Sequence, residues 1–267
     1  MQTASQQQKT GKRILITVCG RAGSKGFANK NLKTFCGQPL VYYTLAAALL
    51  FRDARPDLAV DIALNTDSQP LADLVAARYP EVVFLPRPAE LGGDRVPKMA
   101  VFQNTLLRME ERAGRPYDYT IDLDITSPLR TERDIENALT VIEAHPDLDL
   151  IFSVTEARRN PCFNMVKDCG GYVEEAIKSP FTARQQAPAF YDVNASIYVF
   201  RRDFLASSTT NFVWDGRIGV SVMMDTGILD IDSEEDFLLM EAIAAHLYAH
   251  NPAFGAVQRA IRPGAEA

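Results

Sequence analysis

Apolar and polar positions along the first 155 residues follow two alternating periods. Residues 13–19 form a nearly unbroken apolar, β-branched run, the pattern of a strand buried on both faces. Residues 39–52 then place Leu40, Tyr43, Thr44, Ala47, Leu50 and Phe51 at helical spacing. The succession recurs, with strands predicted at 61–65, 82–85, 119–123 and 150–154 and helices at 69–79, 99–113 and 132–144. This β–α rhythm predicts an α/β fold, a mostly parallel sheet with helices on both faces. Ligands of such sheets sit outside the carboxyl ends of the strands. The segments 20–31, 65–68, 87–98 and 124–130 fall at those ends, and each is polar.

The rhythm breaks after about residue 155. Residues 156–192 mix turn residues with short strands at 165–167 and 172–176, the pattern of an inserted lid or an oligomer arm. Strands at 195–200 and 219–224 and a helix at 233–250 follow. Asp232 or Ser233 is the N-cap of that helix, with Glu234, Glu235 and Asp236 in its first turn, where acidic groups complement the helix dipole. Residues 1–11 read as a disordered tail, 12–250 as one domain, and 251–267 as a loose tail.

The first apolar run stops abruptly at Gly20-Arg21-Ala22-Gly23-Ser24-Lys25-Gly26, with Lys30-Asn31 just beyond. Glycine lets backbone N–H groups approach an anion without a Cβ in the way. Successive amides in a tight turn form an anion-binding nest. Arg21, Lys25 and Lys30 add positive charge where a triphosphate needs it. The loop matches neither the P-loop nor the dinucleotide fingerprint, so an ordinary turn is the alternative.

Composition narrows the setting. A net charge of −6 argues against general nucleic-acid binding, so the basic residues of the first loop are a local feature. No apolar run approaches the ~20 residues that span a bilayer, and the first residues lack the apolar core of a secretory signal. A cytoplasmic protein with no membrane partner is expected. The four cysteines, Cys19, Cys36, Cys162 and Cys169, have no metal-site spacing and read as reduced thiols. His145, His246 and His250 read as surface groups.

Five segments in order carry a resemblance: Arg21–Gly26 with Lys30-Asn31; Arg87-Pro88-Ala89-Glu90-Leu91; Thr126-Ser127-Pro128-Leu129-Arg130; Arg184-Gln185-Gln186 with Pro188 and the run from Tyr191 to Tyr198; and Asp230-Ile231-Asp232-Ser233-Glu234-Glu235-Asp236. Together they span about residues 13–240, and the chain resembles the CMP-sialic acid synthetases, or acylneuraminate cytidylyltransferases. The resemblance implies a Rossmann-like nucleotidyltransferase fold, a three-layer sandwich with an inserted dimerisation arm. It implies that CTP and a 2-keto-3-deoxy sugar acid give a CMP-sugar and pyrophosphate, with magnesium (Mg2+) as cofactor. It also implies a homodimer in which the arm at 156–192 reaches the neighbouring site. A Kdo-like or other ulosonic acid as substrate, or a catalytically silent nucleotide-binding homologue, are the alternatives.

The same resemblance distributes roles. Gly20, Arg21, Gly23, Ser24, Lys25, Asn31, Asp67, Arg87 and Lys98 would contact the nucleotide, and Arg21, Lys25, Lys30 and Asp230 would serve the chemistry. Asp230 and Asp232 would bind metal; at i and i+2 of an extended segment their carboxylates point to one face. Asp232 suits N-capping as well. Asp124, Thr126, Ser127, Arg184, Gln186 and Asn194 would contact the sugar acid. Three departures stand out. Asp124-Ile125 replaces the family's Gln-Pro, and Asp124 is expected to join Asp230 and Asp232 around magnesium. Lys98 falls where serine is common, as a phosphate contact or a surface charge. Asn194-Ala195-Ser196 replaces Asn-Gly-Ala.

Overall fold

The computed structural model describes residues 11–23, 27, 29–93, 95–181, 183–227 and 230–263. Its spine is β1 (Arg13–Gly20), where Ile14, Ile16 and Val18 face one core and Leu15 the other, all fully buried. After it come a small hairpin, β2 (Thr34–Phe35) and β3 (Gln38–Pro39), then α1 (Leu40–Ala54) and β4 (Ala59–Thr66). The chain continues through α2 (Gln69–Arg78), β5 (Val83–Pro86), α3 (Lys98–Ala113), β6 (Tyr119–Leu123), α4 (Glu132–Ala144) and β7 (Leu150–Glu156). A second hairpin, β8 (Val166–Asp168) and β9 (Val173–Glu175), precedes β10 (Tyr191–Arg201). The last elements are α5 (Arg202–Ser207), β11 (Ile218–Val222), α6 (Glu234–His250) and α7 (Pro252–Ala260).

Seven strands form one sheet in the order β11-β7-β10-β6-β1-β4-β5. All its pairs are parallel except those of β10, which is antiparallel to both β6 and β7. Side chains of α1, α2, α4, α6 and α7 build the core on one face; α3 and α5 cover the other. Helix α1 is apolar almost all round, as a helix enclosed by sheet and neighbouring helices must be. The expected α/β sandwich is therefore what the chain forms. Among the described residues no helix is long and apolar enough to cross a membrane.

Two expectations change. The strand expected at 195–200 begins earlier, at Tyr191, and carries a register shift between Val193 and Tyr198, with Ala195 at φ +52° inside it. Residues 252–260, read as part of a loose tail, form α7. Asn251 caps it by accepting from the Ala253 N–H, Pro252 fills the first turn, and Phe254 and Val257 are buried. The other boundaries move by one or two residues, as helix and strand ends do.

Two capping boxes fix the segments that matter below. Thr131 and Asp134 start α4, and Ser233 and Asp236 start α6. Each such cap is worth about 1 kcal/mol and pins the loop that precedes it.

Candidate active site

At the carboxyl ends of β1, β4 and β6, on the face covered by α3, lies a cavity of about 420 Å³, within the range of small-molecule sites. Its wall is drawn from distant parts of the chain. Arg21, Lys30 and Asn31 follow β1; Arg87 follows β5; Lys98 opens α3; Asp122 and Asp124 lie on and just after β6; Asp230 and Asp232 precede α6. The cationic loop and the C-terminal acidic pair thus share one cavity.

The two ends are joined directly. Lys30 Nζ donates to the Ile231 carbonyl oxygen at 2.6 Å and to Asp232 Oδ1 at 3.0 Å. Ile231 is fully buried, and its N–H donates to the Thr126 carbonyl oxygen at 2.9 Å. With Ile231 turned into the core, Asp230 and Asp232 both turn to the cavity, the i, i+2 alternation of extended backbone. Ser233 is the N-cap of α6, and Asp232 precedes it.

Other residues of the first loop shape it from behind. A Cβ on Gly20 would lie 2.7 Å from Leu71 Cδ2, 3.0 Å from Ile125 Cδ1 and 3.1 Å from Asn31 Nδ2, so glycine allows the close packing at the strand end. Gly23 has φ +69°, the left-handed region glycine favours. Asp67, exposed and next to Gly92, accepts the Ala22 N–H at 2.6 Å and so braces the loop. Ser24 and Lys25 lie outside the described residues.

Around β6 the site is built on carboxylates. Asp122 is fully buried in a strand of otherwise uncharged residues, accepts the Thr17 hydroxyl at 2.7 Å, and reaches the cavity wall. Burial pushes its carboxyl up to about 7; the Asp124 charge adds to this, and the Thr17 hydrogen bond and Lys98 act against it. Asp124 Oδ1 accepts from the Thr126 N–H at 2.9 Å and the Thr126 hydroxyl at 2.8 Å, and Oδ2 accepts from Lys98 Nζ at 2.6 Å. Burial alone would raise Asp124, but the Lys98 charge and these hydrogen bonds outweigh it and hold the carboxyl well below the usual range. The two departures at 98 and 124 are therefore one ion pair.

Behind this loop stands Arg130, fully buried. Its guanidinium donates to the carbonyl oxygens of Ser196 and Asp124 and to the Thr44 hydroxyl, tying together β10, the loop after β6 and α1. Burial lowers it to about 10.

The remaining expected residues divide. Arg87 lines the cavity and is oriented by Asn65, whose side-chain and backbone oxygens accept from it at 2.9 and 3.0 Å. Thr126 lines the cavity with its hydroxyl given to Asp124. Ser127 and Asn194 are buried behind it. Ser127 offers its carbonyl to the Ser196 hydroxyl, and Asn194 Oδ1 accepts from Ser153 Oγ and the Ser196 N–H. These hydrogen bonds join both residues to the bulge of β10. Gln186 is exposed, with Oε1 accepting the Ala183 N–H. Arg184 begins the same single turn of 3₁₀ helix, and its side chain lies outside the described set. Asp122, and Phe102 of α3 on the cavity wall, go unnoticed in the sequence, and Arg130 is named there only as part of a motif, with no role. A charge inside the apolar strand 119–123 was the available signal for Asp122, since aspartate is depleted in strands.

Among the described residues no three His, Cys, Asp or Glu side chains are gathered closely enough to hold a metal ion. The donors are nonetheless of the right kind. No hydrogen bond or ion pair among the described residues engages Asp230. Burial raises its carboxyl, and the charges of Asp232 and Asp124 raise it further, a repulsion that a hard cation would relieve. Asp232 lies on the same cavity wall, paired with Lys30, whereas Asp124 is engaged by Lys98 and Thr126.

The cytidylyltransferase family model matches residues 15–215. The chain is 39% identical to the CMP-N,N'-diacetyllegionaminic acid synthase of Campylobacter jejuni, with 85% of this chain and 93% of that protein covered. It is 37% identical, over the same shares, to post-translational flagellin modification protein B of Campylobacter coli. The N-acylneuraminate cytidylyltransferase of Streptococcus agalactiae is 25% identical over 88% of this chain and 53% of its own length. Among solved structures, CMP:2-keto-3-deoxy-manno-octonic acid synthetase in complex with CTP has the same fold, with a TM-score of 0.61 at 15% identity, covering 88% of this chain and 99% of that one. The chain belongs to the cytidylyltransferase family, in the group of the CMP-sialic acid synthetases.

Proposed function

We propose that this protein transfers CMP from CTP to the anomeric hydroxyl of a nonulosonic acid, releasing pyrophosphate. The observation that carries the reading is that Arg21 and Lys30 share one cavity with Asp230 and Asp232. The sugar oxygen attacks the α-phosphorus in line and pyrophosphate departs. Such a step depends on positioning and on stabilising charge along the phosphates. Arg21 and Lys30 meet the triphosphate, and Asn31 and Arg87 contact the nucleotide. The sugar acid lies toward Thr126 and the β10 bulge. The name of the relative at 39% identity favours a legionaminic-type acid over N-acetylneuraminate.

Asp230 and Asp232 are the carboxylates that would hold magnesium. When bound, the ion neutralises phosphate charge and orients the leaving group. We further infer a homodimer. Met165, Val166, Tyr172, Val173 and Ile177, on and around the β8–β9 hairpin, are exposed large apolar residues in one stretch, which favours burial against a second copy. The arm at 156–192 would then bring Arg184 and Gln186 to the neighbouring sugar site.

The test is pyrophosphate release from CTP and magnesium with N,N'-diacetyllegionaminic, N-acetylneuraminic, pseudaminic and Kdo-type acids in turn. Release with a nonulosonic acid and CTP supports the reading. Release only with UTP or GTP, or with none of the acids, overturns it.

A further inference from the structure

We propose that Asp124 acts through Lys98: it is a positioning residue that fixes the Lys98 ammonium at the cavity, where Lys98 binds an anionic oxygen of a substrate. This rests on the reading above and adds to it a division of labour between two residues.

Three observations carry it. The first is the orientation of Asp124. Its Oδ1 is tied down by the N–H and hydroxyl of Thr126, which leaves Oδ2 facing one direction, and in that direction lies Lys98 Nζ at 2.6 Å. The second is the place of Lys98. It opens α3, with no acidic residue in the first turn and no side-chain cap, so its charge faces the positive end of the helix dipole. The helix disfavours a cation there, and Asp124 offsets the cost. The third is the asymmetry of the pair. The Lys98 side chain is 60% exposed and that of Asp124 only 14%. The carboxylate is turned into the protein and the ammonium toward the ligand space, with two of its three donors left for a ligand. The pair therefore presents a cation at a fixed point without adding net charge to a cavity that already holds three other carboxylates, Asp122, Asp230 and Asp232.

The anionic oxygen can belong to the nucleotide's phosphates or to the sugar acid's carboxylate, and the test separates them. Lys98→Met, Lys98→Arg, Asp124→Asn and the double variant Lys98→Met/Asp124→Asn are compared with wild type. Calorimetric binding of CTP and of N,N'-diacetyllegionaminic acid, KM for each, and the magnesium half-saturation are measured. Lys98→Met should weaken one of the two ligands about tenfold or more, the scale of a lost hydrogen bond to a charged group. Weakened CTP marks the phosphates; weakened sugar acid marks the carboxylate. Asp124→Asn should weaken the same ligand, the double variant should be no worse than Lys98→Met within twofold, and Lys98→Arg, which keeps the charge, should retain clearly more of that ligand's affinity than Lys98→Met. Magnesium half-saturation should hold within twofold throughout.

Unchanged binding of both ligands in Lys98→Met overturns the proposal. So does a double variant whose losses multiply, or an Asp124→Asn variant that shifts only the magnesium half-saturation. If Asp124→Asn melts far below wild type, the contrast between Lys98→Met and Lys98→Arg decides. If wild type transfers no CMP to any acid, the functional reading fails, and the calorimetric arms still judge the pair.

Discussion

Lys30 Nζ stands 3.0 Å from Asp232 Oδ1, a residue 202 positions later in the chain. Closing so long a loop costs entropy that one exposed ion pair cannot offset. The contact holds because buried Ile231 and the capping box of α6 have already placed the acidic segment against the loop after β6. Lys30 then closes the cavity between the first and last motifs.

Replacing Lys30 with alanine should therefore lower kcat/KM by about 10- to 100-fold, the loss of one to two hydrogen bonds to charged groups. Lys12, whose ion pair with Glu143 is an exposed surface contact, is the control; Lys12→Ala should leave kcat/KM within twofold. Steady-state kinetics of pyrophosphate release checks both. Equal losses in the two variants would contradict the role given to Lys30.

Asp122 should give stability a particular pH dependence. Its carboxyl titrates near 7 in the folded protein and near 4 in the unfolded chain. Between those values the folded state binds the extra proton, so this group's contribution to stability falls as pH rises from about 4 to about 7 and is flat beyond. Asp122→Asn keeps an acceptor for Thr17 and cannot ionise. Its Tm relative to wild type should rise between pH 5 and pH 8. A difference that stays constant across that range would contradict the assignment.

Arg130 should behave as a strut. Alanine there leaves buried carbonyl oxygens of Asp124 and Ser196 without donors and opens a void beneath the site. Each orphaned group costs about 1–3 kcal/mol, so a loss of roughly 3–5 kcal/mol is expected in urea unfolding. A loss below about 1 kcal/mol would mean that the loop after β6 stands without it.

Ala195 occupies the left-handed region at φ +52°, where a Cβ costs about 1–2 kcal/mol and glycine only its unfolded-state entropy. Ala195→Gly should leave stability unchanged or raise it by up to about 1 kcal/mol. A clear fall in the urea midpoint would show that the methyl group packs usefully in the β10 bulge.

Much of the frame was legible because its signals are local. The run from Ile14 to Val18 announces a buried strand, the apolar spacing of residues 99–113 a helix, and Asp230-Ile231-Asp232 an extended segment with both carboxylates on one side. The loop cations and these carboxylates are named in the sequence, and Arg21 and Lys30 meet Asp230 and Asp232 at one cavity. What was hidden depends on partners that no pattern records. Arg130 is fixed by backbone carbonyls, which leave no trace in side-chain chemistry. Lys98 and Asp124 are each odd alone, and only the fold makes them a pair. Asp67 and Ser127 follow strands and Asn194 lies inside β10; all three are polar, as ligand contacts would be, yet the hydrogen bonds they make here go to the protein. Helix α7 was missed although Asn251-Pro252 is a sound start signal, because polar and small residues around Gly255 dilute its apolar face.

The central claim is that the cationic loop after β1 and the acidic segment before α6 hold one nucleotide and its counter-ion between them. A crystal structure with CTP and manganese tests it most directly, since the anomalous signal locates the ion. The account places the ion within coordinating distance of Asp230 and the phosphates alongside Arg21 and Lys30. A nucleotide bound elsewhere, or an ion more than about 5 Å from both Asp230 and Asp232 where no direct coordination is possible, would contradict it.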